Sequence, residues 1–220
     1  MTCQPERCKQ PQASPVRVPF PTLEFEKTLW QAGYVRLAGI DEAGRGAWAG
    51  PVCAAAVILP PDPAIARQLG RVHDSKLMTP LARETWAPRI RATALAWGVG
   101  FASADEIDLL GILPATRLAA VRALEGLRSD YLLTDFLVFR EMDLGQTALV
   151  KGDQRSLSVA AASVLAKTAR DACMRSFETD FPGYGFAQHK GYGTRQHQQA
   201  IKSLGLCSQH RRSFSINPPK

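Results

Sequence analysis

At 220 residues the chain is long enough to bury a core as one domain, and its 45% hydrophobic content excludes a disordered polymer. A net charge of +7 and a pI near 9.4 favour a polyanionic partner such as nucleic acid, although a merely solvated basic surface fits the same numbers. Five scattered cysteines without zinc-knuckle spacing, no apolar leader and no apolar run of bilayer length predict a reduced, cytoplasmic protein rather than a secreted or membrane-spanning one.

Residues 1 to 21, with Pro5, Pro11, Pro15, Pro19 and Pro21 among polar residues, read as a loose tail. Thr22 to Ala32 reads as a short helix with Thr22 as its N-cap, stopped by Gly33. Leu37 to Leu59 is an apolar run, two adjacent acids, a glycine loop and a second apolar run: strand, tight loop, strand. The polar loop Val72 to Met78 precedes a helix from Pro80 to Thr93, where Pro88 predicts a kink. Ala94 to Ser103 reads as a third strand, followed by a helical turn from Ala104. In the helix from Pro114 to Leu127, the stripe Leu118, Val121, Leu124 and Leu127 is the expected core face.

Tyr131 to Phe139 is a strand interrupted by Thr134 and Asp135, and Thr147 to Val150 is a shorter one ending in Lys151-Gly152-Asp153. Ser156 to Phe181 is the longest helical segment. A basic, aromatic loop from Gly185 to Thr194 and a further helix to Leu204 complete a C-terminal helical region over about 182–214, and 215–220 reads as a frayed end. This order predicts an α/β domain over 22–214, with a mixed sheet flanked by helices.

Asp41 and Glu42 end the first strand, Asp135 sits inside an apolar strand, and Asp153 follows another. Carboxylates gathered at one sheet edge repel and raise each other's pKa unless a cation neutralises them. Oxygen donors suit Mg²⁺ or Mn²⁺ rather than zinc. Each acid could instead cap a helix or pair with an arginine, but Asp135 is expensive inside YLLTDFLVF without a partner. Neighbours on a strand point to opposite faces, so Asp41 and Glu42 share a metal only if the strand ends or bulges there.

Gly44-Arg45-Gly46 and Gly50 miss the dinucleotide-binding spacing by one residue, and a strand follows where a helix should stand, which excludes that site. Bare backbone N–H groups beside a guanidinium suit a phosphate or a sugar; a plain hairpin turn is the bland alternative. Tyr192, among Lys190, Gly191 and Gly193, is placed to stack on a base or sugar or to pack in its loop. Lys76, Lys151, Arg155, Lys167, Arg170, Lys190, Arg211 and Arg212 are candidate phosphate contacts, and His189 a weak candidate at the scissile phosphate.

Taken together, GIDEAGRGAWAGPV at 39–52, LLTDF at 132–136, VKGDQ at 150–154, ASVLAKTARD at 162–171, YGFAQHKGYGT at 184–194 and HRRSF at 210–214 resemble the type 2 ribonuclease H family, ribonuclease HII, in its order. The resemblance implies an RNase H-like fold with a five-stranded mixed sheet. It implies cleavage of RNA in RNA–DNA hybrids and 5′ to ribonucleotides embedded in duplex DNA, leaving 3′-OH and 5′-phosphate ends. The metal and catalytic acids then fall on Asp41, Glu42, Asp135 and Asp153, the 2′-OH reader on Gly44, Arg45 and Gly46, and the stacking tyrosine on Tyr192. A two-metal hydrolysis with Mg²⁺ or Mn²⁺ would activate the water and stabilise the leaving oxygen. The enzyme is expected to act as a monomer. Four positions depart from the family pattern: Ala47, Leu77, Phe136 after the acid where glycine is usual, and Gly193 where proline is usual. The last predicts a more mobile Tyr192. A nuclease restricted to longer hybrids and a non-catalytic nucleic-acid-binding domain are the alternative readings.

Overall fold

The computed structural model describes residues 20–140 and 142–216. The expected tail (apart from Phe20 and Pro21), Cys3, Cys8 and Asn217 to Lys220 lie outside them. Five strands form the sheet: β1 (Leu37–Ala43), β2 (Val52–Ile58), β3 (Ala96–Ala102), β4 (Tyr131–Asp135) and β5 (Gly145–Leu149). Among the described residues eight helices accompany them: α1 (Glu24–Gln31), α2 (Ile65–Gln68), α3 (Pro80–Thr93), α4 (Ala104–Leu110), α5 (Ile112–Leu124), α6 (Leu157–Asp180), α7 (Phe186–His189) and α8 (Arg195–Leu204). The strand order is β3-β2-β1-β4-β5, with β1–β2 and β2–β3 antiparallel and β1–β4 and β4–β5 parallel.

Side chains alternate across the strands and build a core on each face of the sheet. On one face Ala43, Cys53, Ala55 and Val57 pack with Val164 and Leu165 of α6 and Ile90 of α3. On the other, Ile40, Ala54, Ala56 and Leu132 pack with Ala119, Ala120 and Ala123 of α5. The expected stripe holds at Leu124, which is buried, and at Leu118 and Leu127, which pack against this core, but Val121 is exposed and most of the buried face of α5 is alanine. Close approach is the reason. A Cβ on Gly98 or Gly100 of β3 would lie 2.1 Å from the carbonyl oxygen of Ala123 or Ala119, so this interface has room for neither larger helix residues nor strand side chains.

Several boundaries also move. Leu23, not Thr22, stands at the N-cap of α1, because Thr22 bridges to Ser156 instead. Helix α3, by contrast, keeps the expected bounds Pro80–Thr93 and runs through Pro88. Strand β4 stops at Asp135, four residues earlier than the apolar run, because Phe136 turns into the left-handed region at φ 65°.

Candidate active site

Parallel pairing of β1 with β4 matches Ile40 to Thr134, so the next pair on the opposite face is Asp41 beside Asp135. Strand β5 runs alongside β4 as far as Asp135–Leu149. The chain then turns through left-handed Lys151 (φ 56°) into a 3-10 turn, Gly152–Gln154, that brings Asp153 back to the same edge. Asp41, Asp135 and Asp153 each offer a carboxylate oxygen, and these oxygens lie within 4.8 Å of one another. The Asp135 carboxylate accepts from the Gly152 amide at 2.8 Å and that of Asp41 from the Glu42 amide at 2.7 Å. The second Asp41 oxygen, Oδ2, is buried without a partner.

Glu42 is outside this trio. β1 does not bulge there, since Glu42 pairs with Ala54 and Ala43 with Cys53, but the longer side chain reaches over the strand end into the groove, where the charges of Asp135 and Lys76 act on it. Its Oε1 accepts from Arg45 at 3.0 Å, and its buried Oε2 has no partner. Burial raises the pKa of Asp41 well above the usual carboxylate range, reinforced by the charges of Glu42 and Asp135. Burial likewise raises Glu42, against the pull of Arg45. Asp153 is raised to about 6 by burial, then by Asp74 and Asp135. The nearest cation to it is Lys76, with Nζ 3.9 Å from Asp153 Oδ2 on a mostly exposed side chain. Asp74 is a buried acid that sequence reasoning missed. It accepts from the Lys76 amide at 2.9 Å and from Gln154 at 3.3 Å, and the Asp-Ser-Lys segment at 74–76 was its only signal.

The glycine loop is braced from below by two buried arginines. Arg211 donates to the carbonyls of Gly44 (2.8 Å), Arg45 (2.8 Å) and Gly50 (2.9 Å). Arg170 donates to those of Pro51 (2.9 Å), Lys190 (3.0 Å) and Ala49 (3.2 Å). Gly44 is required: its φ is +94°, and a Cβ there would sit 1.9 Å from the Arg170 guanidinium. Trans peptides hold C=O and N–H antiparallel, so the carbonyls bound by Arg211 turn the amides of Arg45 and Gly46 away from it. Neither amide donates to any described residue. Arg170 and Arg211, expected as phosphate contacts, are thus buried loop supports.

Glu42, Gly44, Arg45, Gly46, Lys76, Lys167 and Tyr192 line one groove of about 350 Å³. Tyr192 is partly exposed, and Lys167 and Arg170 lie 5.7 and 5.4 Å from its ring centre. Lys167 also pairs with Asp171 at 2.7 Å. The Trp48 ring explains why glycine stands at position 193: a Cβ there would lie 2.5 Å from it. Lys151 is exposed and does not line the groove, while the Lys190 ammonium bonds back to the Ala187 carbonyl. His189 is buried, with Nε2 2.7 Å from the Tyr184 carbonyl and Nδ1 accepting from the Gly191 amide at 3.1 Å. With both ring nitrogens occupied, it supports the loop and has nothing to offer a phosphate.

Three convergent carboxylates at the end of adjacent parallel strands, in a mixed sheet with the order 3-2-1-4-5, place the chain among RNase H-like, metal-dependent nucleases. The family model described as Ribonuclease HII matches residues 38–217. The chain is 52% identical over 198 residues to the ribonuclease HII of Synechococcus sp. (strain JA-3-3Ab), covering 89% of this chain and 88% of that one. It is 52% identical over 199 residues to that of Chloroflexus aurantiacus, covering 88% and 93%. The solved RNase HII of Archaeoglobus fulgidus, determined in a complex with PCNA, superimposes with a TM-score of 0.67 at 28% identity, over 80% of this chain and 92% of that one. The chain belongs to the ribonuclease HII family, and is a type 2 ribonuclease H acting on nucleic acid. Among the described residues no helix is long and apolar enough to cross a membrane.

Proposed function

We propose that the protein is a cytoplasmic, monomeric endonuclease that cuts the RNA strand of RNA–DNA hybrids and cleaves 5′ to ribonucleotides in duplex DNA, leaving 3′-OH and 5′-phosphate ends. The observation that carries the reading is the convergence of Asp41, Asp135 and Asp153 within 4.8 Å. A divalent cation fits this donor set. The donors are all oxygen, the unpartnered Asp41 Oδ2 and Glu42 Oε2 are ready acceptors, and burial and then the neighbouring acids raise the pKa of Asp41 and Asp153, which a cation would offset. Asp41, Asp135 and Asp153 would hold Mg²⁺ or Mn²⁺ directly, with Glu42 at the groove side. When bound, the cation supplies Lewis acidity to the attacking water and the leaving 3′ oxygen.

The chain's own residues do the rest. The free amides of Arg45 and Gly46, in the loop begun by Gly44, would donate to the 2′-OH that separates RNA from DNA. Tyr192 would stack at the junction, its ring held by Lys167 and Arg170. Lys76 and Lys167 at the groove, with Lys151 and Lys190 farther out, would meet phosphates and make affinity fall steeply with salt.

The test is Asp135→Asn, assayed on a duplex carrying one ribonucleotide with Mg²⁺ and with Mn²⁺. Cleavage should be lost, and undiminished cutting would overturn the site. A long hybrid run beside the single-ribonucleotide duplex separates this function from that of a nuclease needing several ribonucleotides.

A further inference from the structure

Helices α2 and α3 and the chain between them enclose a second concavity, of about 630 Å³. Arg67, Arg71, Arg89 and Trp86 dominate its lining, which contains no acid. All three arginines are exposed, and none forms an ion pair among the described residues. Glu84, the acid on α3, faces elsewhere and pairs with Arg175 of α6 at 3.2 Å. The Arg89 guanidinium lies over the Trp86 ring, 5.0 Å from its centre, and donates to no described residue. Three unpaired guanidiniums around one concavity repel one another until an anion arrives, and their forked donors match phosphate oxygens.

Chain geometry puts this concavity beside the catalytic groove. Arg71 precedes Ser75 by four residues, and Ser75 and Lys76 line the first groove. Four residues span at most about 14 Å. One strand of duplex carries a phosphate every ~3.4 Å of axis, so this is roughly four base pairs. Helix α3 makes a second link. Its Arg83 holds Asp171, the partner of Lys167 in the first groove, and Arg89 lies about 9 Å farther along the helix axis.

We propose that the Arg67–Arg71–Arg89 concavity is a second phosphate-backbone site, which grips the duplex flanking the scissile position a few base pairs from the carboxylates. The proposal rests on the nuclease reading for the identity of its ligand. It lengthens the substrate footprint beyond the glycine loop and Tyr192, and adds affinity without adding discrimination between ribose and deoxyribose.

The experiment compares wild type with Arg67→Ala/Arg71→Ala/Arg89→Ala on two duplexes with one ribonucleotide: a long one of about 24 base pairs with it central, and a short-flanked one that keeps only about two base pairs on the side nearer the concavity, identified by shortening each side in turn. The triple variant should raise KM on the long duplex roughly tenfold and flatten its salt dependence by two to three in log–log slope, about 0.9 for each lost phosphate contact. On the short-flanked duplex KM should hold, and kcat should hold on both. Equal KM changes on the two duplexes, or an unchanged salt slope, would overturn the site. Fluorescence anisotropy with an all-DNA duplex of the long length keeps this separate from the nuclease reading. The triple variant should weaken that binding, whereas Asp135→Asn should abolish cutting and leave it intact. The exposed positions make misfolding a minor concern, and equal melting temperatures check it.

Discussion

The acidic sheet edge and the arginine-braced loop lie on the two sides of Glu42, and both bury charge with opposite outcomes. Arg170 and Arg211 have no carboxylate partner, yet between them they make six hydrogen bonds to carbonyl oxygens. Burial, and then the charge of Arg170, lower the pKa of Arg211 to about 9, which still leaves it protonated at neutral pH. The carboxylates opposite keep unused oxygens at Asp41 and Glu42, and their pKa values rise. Buried charge whose hydrogen bonds are complete is scaffold; buried charge left incomplete is a site waiting for a ligand. Stability and activity should therefore respond in opposite ways to substitution on the two sides.

Asp41→Asn should give the largest functional effect, a loss of cleavage on the order of 10³-fold or more. The metal-free variant should nonetheless melt higher than wild type, because a repelling buried carboxylate is gone, and Mn²⁺ should shift its melting temperature less. A variant that melts lower without metal would break the contrast between the two sides.

Arg211→Ala should do the reverse. Stripping the carbonyls of Gly44, Arg45 and Gly50 of their donor should cost about 3 kcal/mol, or roughly 6–12 °C in Tm for a chain of this size. If the loop amides read the 2′-OH, the same variant should also narrow the ratio of kcat/KM between ribo- and 2′-deoxy-substituted substrates. Arg211→Lys should restore part of both. Loss of Tm with an unchanged ratio would leave Arg211 a structural support only.

The pH response sharpens the comparison further. Asp153 titrates near 6 in the folded protein and near the ordinary 3.8 when unfolded, so between those values the native state holds a proton that the unfolded state lacks. Its contribution to stability therefore falls as pH rises from about 4 to 6 and levels off above. His197, held down to about 4 mainly by burial and lying 3.1 Å from the His210 ring nitrogen, has the opposite slope over about 4 to 6.5. Subtracting the Tm–pH profile of Asp153→Asn from that of wild type, both in chelator, isolates the acid; a flat difference would contradict the raised pKa. Added Mn²⁺ should stabilise wild type more at pH 7.5 than at pH 5, because metal and proton compete for the same oxygens.

The smallest effect concerns the residue after Asp135. Phe136 is 64% exposed at φ 65°, a conformation costing roughly 1–2 kcal/mol for a residue with a Cβ. Phe136→Gly relieves that strain and loses part of the gain to unfolded-chain entropy, so Tm should rise by about 1–3 °C with cleavage unchanged. A fall in Tm would mean that the exposed ring makes contacts worth more than the strain.

Local pattern carried much of this molecule. Alternating and continuous apolar runs marked all five strands, and acids inside or just after those runs stood out because burial makes them costly. The order of the motifs made the family legible before any coordinate. Where pairing and approach distances mattered, local pattern misled. The stripe of α5 held for its leucines but missed the alanines that form most of the buried face, where Gly98 and Gly100 bring the sheet too close for anything larger. Arg170, Arg211 and His189 looked like phosphate ligands, since a one-dimensional chain does not say which basic side chains are buried. Asp74 was passed over because its neighbours are polar and nothing local makes it expensive.

From the sequence alone came the composition of the site: which acids, which glycines, which tyrosine. The tertiary structure decided their partnership. Parallel register places Asp41 beside Asp135, and the 3-10 turn returns Asp153 to them. Glu42 stays outside that trio, its carboxylate meeting Arg45 at the groove. Side-chain direction is a local property, but convergence depends on contacts between residues about a hundred positions apart, and only the folded sheet brings those together.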